Sequence, residues 1–264
     1  MTSFITDSIT IAYDDISPAS GAERTIVLIH GFASNRLEAW KRTGWYAAFE
    51  RHRTRVIALD QRGHGESQKL YEPQAYAREQ LAADVLNLMD HLGVDRADIF
   101  GYSMGTRTAL ELAIGQPDRV SHLILGGIGG KLLERAPDVA GEPMADAMLA
   151  DDPSSITHPM LRSFRQFADE QGEDLKALAA VTRMRNMPFD PQALAELPMP
   201  VLVVAGQGDD GAGAPEALAR VFAQGKGVTI PGCDHFSAIP HALTKAAVFD
   251  FLDGVMEDDF PPFE

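Results

Sequence analysis

Five short runs of β-branched and aliphatic residues recur along this chain with helical patterns between them, and no other feature limits its fold so tightly. They are Thr25-Ile26-Val27-Leu28-Ile29, Val56-Ile57-Ala58-Leu59, Asp98-Ile99-Phe100, His122-Leu123-Ile124-Leu125 and Val201-Leu202-Val203-Val204. A strand with one face in water alternates apolar and polar side chains, whereas these runs are apolar at nearly every consecutive position, so both faces of their sheet must be covered. Helices between successive strands provide that cover and connect parallel neighbours. The predicted class is therefore α/β: a mostly parallel central sheet with helices on both faces. Residues 4–16 alternate instead around Asp7-Ser8, which predicts an N-terminal antiparallel hairpin at the sheet edge. Helices are predicted over residues 76–92, 104–114, 215–223 and 240–252, three of them with proline near an end. The tail, residues 256–264, reads as frayed.

The rhythm breaks over residues 131–199. That stretch holds six of the ten methionines and several short helical patterns, with no strand-like run. It predicts a helical cap inserted into a core domain formed by residues 1–130 and 200–264. Gly126-Gly127-Ile128-Gly129-Gly130 and Pro198-Met199-Pro200 punctuate its two boundaries.

Charge narrows the partners. The 23 Lys plus Arg face 38 Asp plus Glu, a formal charge of −15, which disfavours nucleic acid and anionic membrane surfaces. Cys233 is the only cysteine, so no intramolecular disulfide can form, and the start MTSFITDSIT has neither a basic n-region nor an apolar h-region. A reducing cytoplasm is the expected compartment, and no apolar stretch approaches the roughly 18 residues of a membrane span. The expected partner is a small-molecule substrate, with association into a homo-oligomer left open.

Gly101-Tyr102-Ser103-Met104-Gly105 follows a predicted strand and opens a predicted helix. Swinging a strand directly into a helix forces the central serine into a sparsely populated backbone region, and the crowding admits only small residues two positions either side. Ser103 is thereby lifted above the sheet as a candidate nucleophile. A serine hydroxyl is scarcely ionised at neutral pH and needs a base within hydrogen-bond reach, with a third group to orient that base. In a parallel sheet such groups gather in loops at the carboxyl ends of the strands. Of eight histidines, His235 in Pro231-Gly232-Cys233-Asp234-His235-Phe236 best meets this condition, because it follows the strand-like residues 227–230. Val201 to Ala205 run into Gly206-Gln207-Gly208-Asp209-Asp210, which makes Asp209 the first choice of acid. Asp210 and Glu134 remain open alternatives, since spacing alone does not separate them.

An oxyanion formed at Ser103 needs preorganised donors. The Met104 N–H, at the first turn of the following helix, is one. The Phe32 N–H, in the loop His30-Gly31-Phe32-Ala33-Ser34 after the first buried strand, is the proposed second. The loop Asp60-Gln61-Arg62-Gly63-His64-Gly65-Glu66-Ser67 is equally rich in chemistry, yet an arginine, acids and turn glycines can lock a loop without catalysing anything, and it is read as structural. No His or Cys pair has zinc spacing, and no phosphate-binding or dinucleotide glycine motif is present. No cofactor or metal is expected.

Together, His30-Gly31-Phe32, residues 60–67, 101–105, 206–209 and His235 resemble the α/β-hydrolase family, in that family's order of nucleophile, acid and base. The resemblance implies Ser103 as nucleophile, Asp209 as acid, His235 as base, and Phe32 and Met104 as oxyanion donors. Serine at position 103 argues against the branches that use a carboxylate nucleophile. The implied activity is hydrolysis of a small or medium apolar ester or lactone through an acyl-enzyme. Carbon–carbon bond hydrolysis and cofactor-free perhydrolysis or haloperoxidase chemistry at the same site are alternatives, as is a slow-turnover ligand receptor. Phe32, Met144, Met148, Met160 and Phe164 are candidate substrate-binding residues, an adaptable apolar wall. Arg162 and Arg165, three apart on a predicted cap helix, would admit a carboxylated substrate.

Overall fold

A computed structural model describes residues 2–134, 142–185 and 187–255. The predicted frayed tail and a few residues of the predicted cap fall outside them. Eight strands form one sheet in the order β1-β2-β4-β3-β5-β6-β7-β8. β1 (Thr2–Thr6) and β2 (Ile9–Ile16) make the edge hairpin, joined through Asp7 and Ser8, both with positive φ as a tight primed turn demands. β2 pairs antiparallel with β4 (Thr54–Leu59), and the rest of the sheet is parallel: β3 (Arg24–Ile29), β5 (Ala97–Tyr102), β6 (Val120–Gly126), β7 (Val201–Gly206) and β8 (Gly225–Ile230). The predicted α/β class is borne out.

The consecutive apolar positions divide between two cores. Val27, Ile29, Ile57, Ile99, Leu123 and Val203 pack on one face against α2 (Arg78–His91), α3 (Met104–Gly115) and α8 (Pro215–Ala219). Their neighbours Ile26, Leu28, Ala58, Phe100, Ile124 and Leu202 face the other way, against α1 (Trp45–Arg51) and α9 (Ala242–Leu252) with Trp40. The period-2 alternation of a strand thus feeds apolar side chains to both layers.

Three helices depart from expectation. α1 is absent from the sequence reading, because seven residues rich in aromatics, entered from Gly44 at φ 81°, carry little helical periodicity. α2 starts at Arg78, since Ala77 takes an extended ψ of 140° after a short 3-10 turn over Pro73–Tyr76. α8 stops at Ala219, short of residue 223. The chain doubles back there, and a Cβ on Gly225 would stand 1.9 Å from the Ala219 carbonyl oxygen.

Between β6 and β7 the described residues form helices and turns: α4 (Glu142–Leu149), α5 (Pro159–Gln171), α6 (Leu175–Arg183) and α7 (Pro191–Ala195). Met144, Met148, Leu161, Ala168 and Leu178 form an apolar cluster joined by Ala33 from the loop after β3. Leu194, Leu197 and Met199 belong instead to the core under the sheet. Among the described residues no helix is long and apolar enough to cross a membrane.

Candidate active site

Register sets the site. Ile29 of β3 lies opposite Gly101, Tyr102 opposite Gly126, Gly126 opposite Val204, and Gly206 opposite Ile230, so five neighbouring strands end close together at one edge. The loops leaving those ends carry Phe32, Ser103, Asp209 and His235.

Ser103 has φ 54° and ψ −115°, a conformation costing on the order of 1–3 kcal/mol that the surrounding packing imposes. Its flanking glycines are obligatory. A Cβ on Gly101 would lie 2.4 Å from the Gly105 oxygen, and one on Gly105 would lie 2.1 Å from the Ile29 oxygen. The turn is held from β6, whose Gly126 carbonyl accepts from the Ser103 N–H at 2.8 Å.

His235 joins the two other groups in one line. Its Nε2 is 2.9 Å from Ser103 Oγ and its Nδ1 is 2.6 Å from Asp209 Oδ2. The carboxylate accepts only, so Nδ1 carries the proton and Nε2 is left to accept from the serine hydroxyl. Asp209 is buried, and its second oxygen accepts from the Ala212 N–H at 3.1 Å. Asp210, one residue on, is exposed and turned outward, its carbonyl accepting from Lys131 Nζ at 2.7 Å. Glu134 is likewise exposed. Geometry therefore distinguishes the acids that spacing left open.

Gly31 lets the loop after β3 pass close by: a Cβ there would meet Ser103 Cβ at 3.1 Å. Behind it His30 is fully buried. Its Nε2 accepts from the Gln61 N–H at 2.9 Å and its Nδ1 faces the Gly31 carbonyl at 2.8 Å, and burial lowers its pKa to about 4. The Met104 N–H, first in α3, lies beyond the reach of the helix's own carbonyls.

Aromatic rings close over the line. Phe164 of α5 lies 6.3 Å from the His235 ring, 5.8 Å from Phe32 and 5.6 Å from Phe236, centroid to centroid. Phe236 stands edge-on to His235 at 5.5 Å. Phe236 was not foreseen as part of this wall, since an aromatic beside a candidate base carries no signal of where its ring points. Met144 and Met148, predicted as wall, are instead buried in the helical cluster, while Met160 is half-buried at the start of α5. Arg162 is exposed and Arg165 is engaged inside the protein. The first donates to the Ile156 carbonyl, and the second, buried, to Asp169 and to the carbonyls of Ala147, Met148 and Ala150.

A family model described as the alpha/beta hydrolase fold matches residues 24–157, just over half of the chain. The chain belongs to the α/β-hydrolase family. This α/β-hydrolase is 28% identical over 273 residues to a 2-hydroxy-6-oxononadienedioate/2-hydroxy-6-oxononatrienedioate hydrolase of Cupriavidus pinatubonensis, covering 88% of each chain. It is 36% identical over 160 residues to the dihydrolipoyllysine-residue acetyltransferase component of an acetoin cleaving system of Pseudomonas putida, but covers only 41% of that protein's length. Among solved structures, a thermophilic esterase from Thermogutta terrifontis superposes with a TM-score of 0.77 at 26% identity, over 97% of this chain and 98% of that one. The α/β-hydrolase is an enzyme, and hydrolases are among the relatives it matches along most of its length.

Proposed function

We propose that this enzyme is a serine hydrolase that cleaves small or medium apolar carboxylic esters or lactones through an acyl-enzyme. The observation that carries the reading is the continuous line Ser103 Oγ, His235 Nε2, His235 Nδ1, Asp209 Oδ2, with gaps of 2.9 and 2.6 Å.

In this reading His235 Nε2 takes the serine proton as Oγ attacks the acyl carbon, and Asp209 stabilises the imidazolium by accepting from Nδ1–H. The oxyanion is received by the N–H groups of Phe32 and Met104. His235 returns the proton to the leaving oxygen. It then draws one from water, which attacks the acyl carbon, frees the carboxylic acid and restores Ser103. Residues 131–199, apart from the stretch of Leu194, Leu197 and Met199 that packs under the sheet, act as a cap, and Phe32, Phe164 and Phe236 present the substrate with apolar rings. Arg165, buried and bound to Asp169 and three carbonyls, is taken up within the protein, which favours a neutral substrate over a carboxylated one.

The test is Ser103→Ala on a nitrophenyl ester. Loss of turnover to background with an unchanged melting temperature is the expected result, and retained hydrolysis refutes the reading. Carbon–carbon bond cleavage is a second use of the same line, and the likeness to the oxononadienedioate hydrolase of Cupriavidus keeps an oxo-acid substrate in view; preferential turnover of a vinylogous diketone over every ester would select it.

A further inference from the structure

The two ends of the proposed site are also joined through the protein itself. Tyr102 is the last residue of β5, immediately before Ser103, and its ring is buried. The ring crosses Gly126 and Gly127 of the neighbouring strand end and fills the space their missing side chains leave. A Cβ on Gly126 would stand 2.6 Å from it, and a Cβ on Gly127 would stand 2.8 Å from it and 3.2 Å from His235 Cε1. At the far end its hydroxyl donates to the main-chain carbonyl of His235 at 2.7 Å.

Other bonds brace the base loop on either side of His235. The Asp234 carboxylate accepts from the N–H groups of Phe236 and Ser237 at 3.1 and 2.8 Å, and the Gly208 N–H ties the Cys233 carbonyl to the acid's loop at 2.8 Å. The bond from Tyr102 is made to the histidine's own backbone. A carbonyl can only accept, so the phenol must keep its proton; burial and the nearby charges of Asp209 and Asp234 push its pKa up and secure this.

We propose that Tyr102 is a positioning residue, whose hydroxyl holds the His235 main chain where Nε2 meets Ser103 and Nδ1 meets Asp209 at once. The strand that presents the nucleophile thereby also sets the place of the base. This inference rests on the serine-hydrolase reading above. Displacing a reacting group by about 1 Å can cost about 10²-fold in rate, so one buried hydroxyl remote from the substrate is enough to matter.

Tyr102→Phe keeps the ring that fills the space over the glycines and removes only the donor. On a nitrophenyl ester kcat should fall roughly 10- to 100-fold with KM within about twofold. The rate of Ser103 labelling by a fluorophosphonate, counted per labelled site so that misfolded molecules are excluded, should fall in parallel. In Tyr102→Phe/Asp209→Asn the combined loss should be smaller than the product of the single losses, because both substitutions act through His235. Wild-type kinetics in Tyr102→Phe, a loss confined to KM, or losses that multiply in the double variant overturn the proposal. A wild-type enzyme with no esterase activity, or an active Ser103→Ala, is failure of the hydrolase reading itself; an active wild type matched by Tyr102→Phe is failure of this inference alone.

Discussion

Two loop regions at the carboxyl edge of the sheet are about equally rich in histidine and acid, and they have opposite fates. In the first, residues 60–67, Asp60, Arg62 and His64 are all turned inward, and only Glu66 reaches the surface. Asp60 accepts from the Arg36 guanidinium and from the N–H groups of Arg36 and Glu66, at 2.7 and 2.8 Å for the latter two. Arg62 makes two 2.7 Å bonds to Asp84, and His64 is fully buried. In the second region Asp209 is equally buried, but the histidine it orients is partly exposed, and the serine beyond it is only half-buried. Density of chemistry does not distinguish the two. What does is whether the chain of partners ends inside the protein or on a group that a ligand can still reach.

The widest contrast is expected from breaking one buried acid's pairing in each region. Asp209→Asn keeps the shape but favours the wrong imidazole tautomer, and kcat should drop about 10³- to 10⁴-fold with little change in melting temperature. Steady-state kinetics beside a thermal melt would check it. A fall in stability with kcat per folded molecule preserved would erase the distinction between the two loops.

Arg62→Met should do the reverse. It strands Asp84, which is 2% exposed on its side chain, as an uncompensated buried acid, and breaking such a pair costs about 3–5 kcal/mol. Urea unfolding should show that loss while kcat per active site stays within about twofold. A large kcat effect without destabilisation would bring residues 60–67 into the chemistry.

How far these roles were legible in the sequence depended on whether a signal is local. The sheet was readable because coverage of both faces leaves consecutive apolar residues in each strand, and the Ser103 turn because its strain demands Gly101 and Gly105. The choice between Asp209 and Asp210 was not, since a one-residue step in a loop reverses a side chain without altering composition. Met148 looked like Phe164 as a wall candidate. Only the packing of α4 and α5 shows that the methionine is buried among its neighbours while the phenylalanine faces His235. α1 was invisible because burial of Trp45 and Phe49 against Phe100 and Phe249, rather than helical periodicity, holds it in place.

The smallest effect expected tests the closed loop by pH. Burial lowers the pKa of His64 from the ordinary 6.5 to about 3 and that of His30 to about 4. Each is therefore held neutral in the fold, while the unfolded chain accepts a proton near 6.5. Their contribution to stability is fully present above that pH and drains away as the pH falls below it, by about 1.4 kcal/mol per unit for each histidine until its folded pKa is reached. Burial raises the pKa of Asp60, Asp84 and Glu173, so these acids act in the opposite sense, contributing stability as the pH falls through their folded values. The total slope is therefore a poor measure, and a difference between variants is a good one. Between pH 6.5 and 4.5, His64→Asn should lose less stability than the wild type by about 2–3 kcal/mol in urea titrations. Parallel curves would mean that His64 is protonated in the fold, and the loop would then hold a charge open to a partner, like the histidine it has been contrasted with.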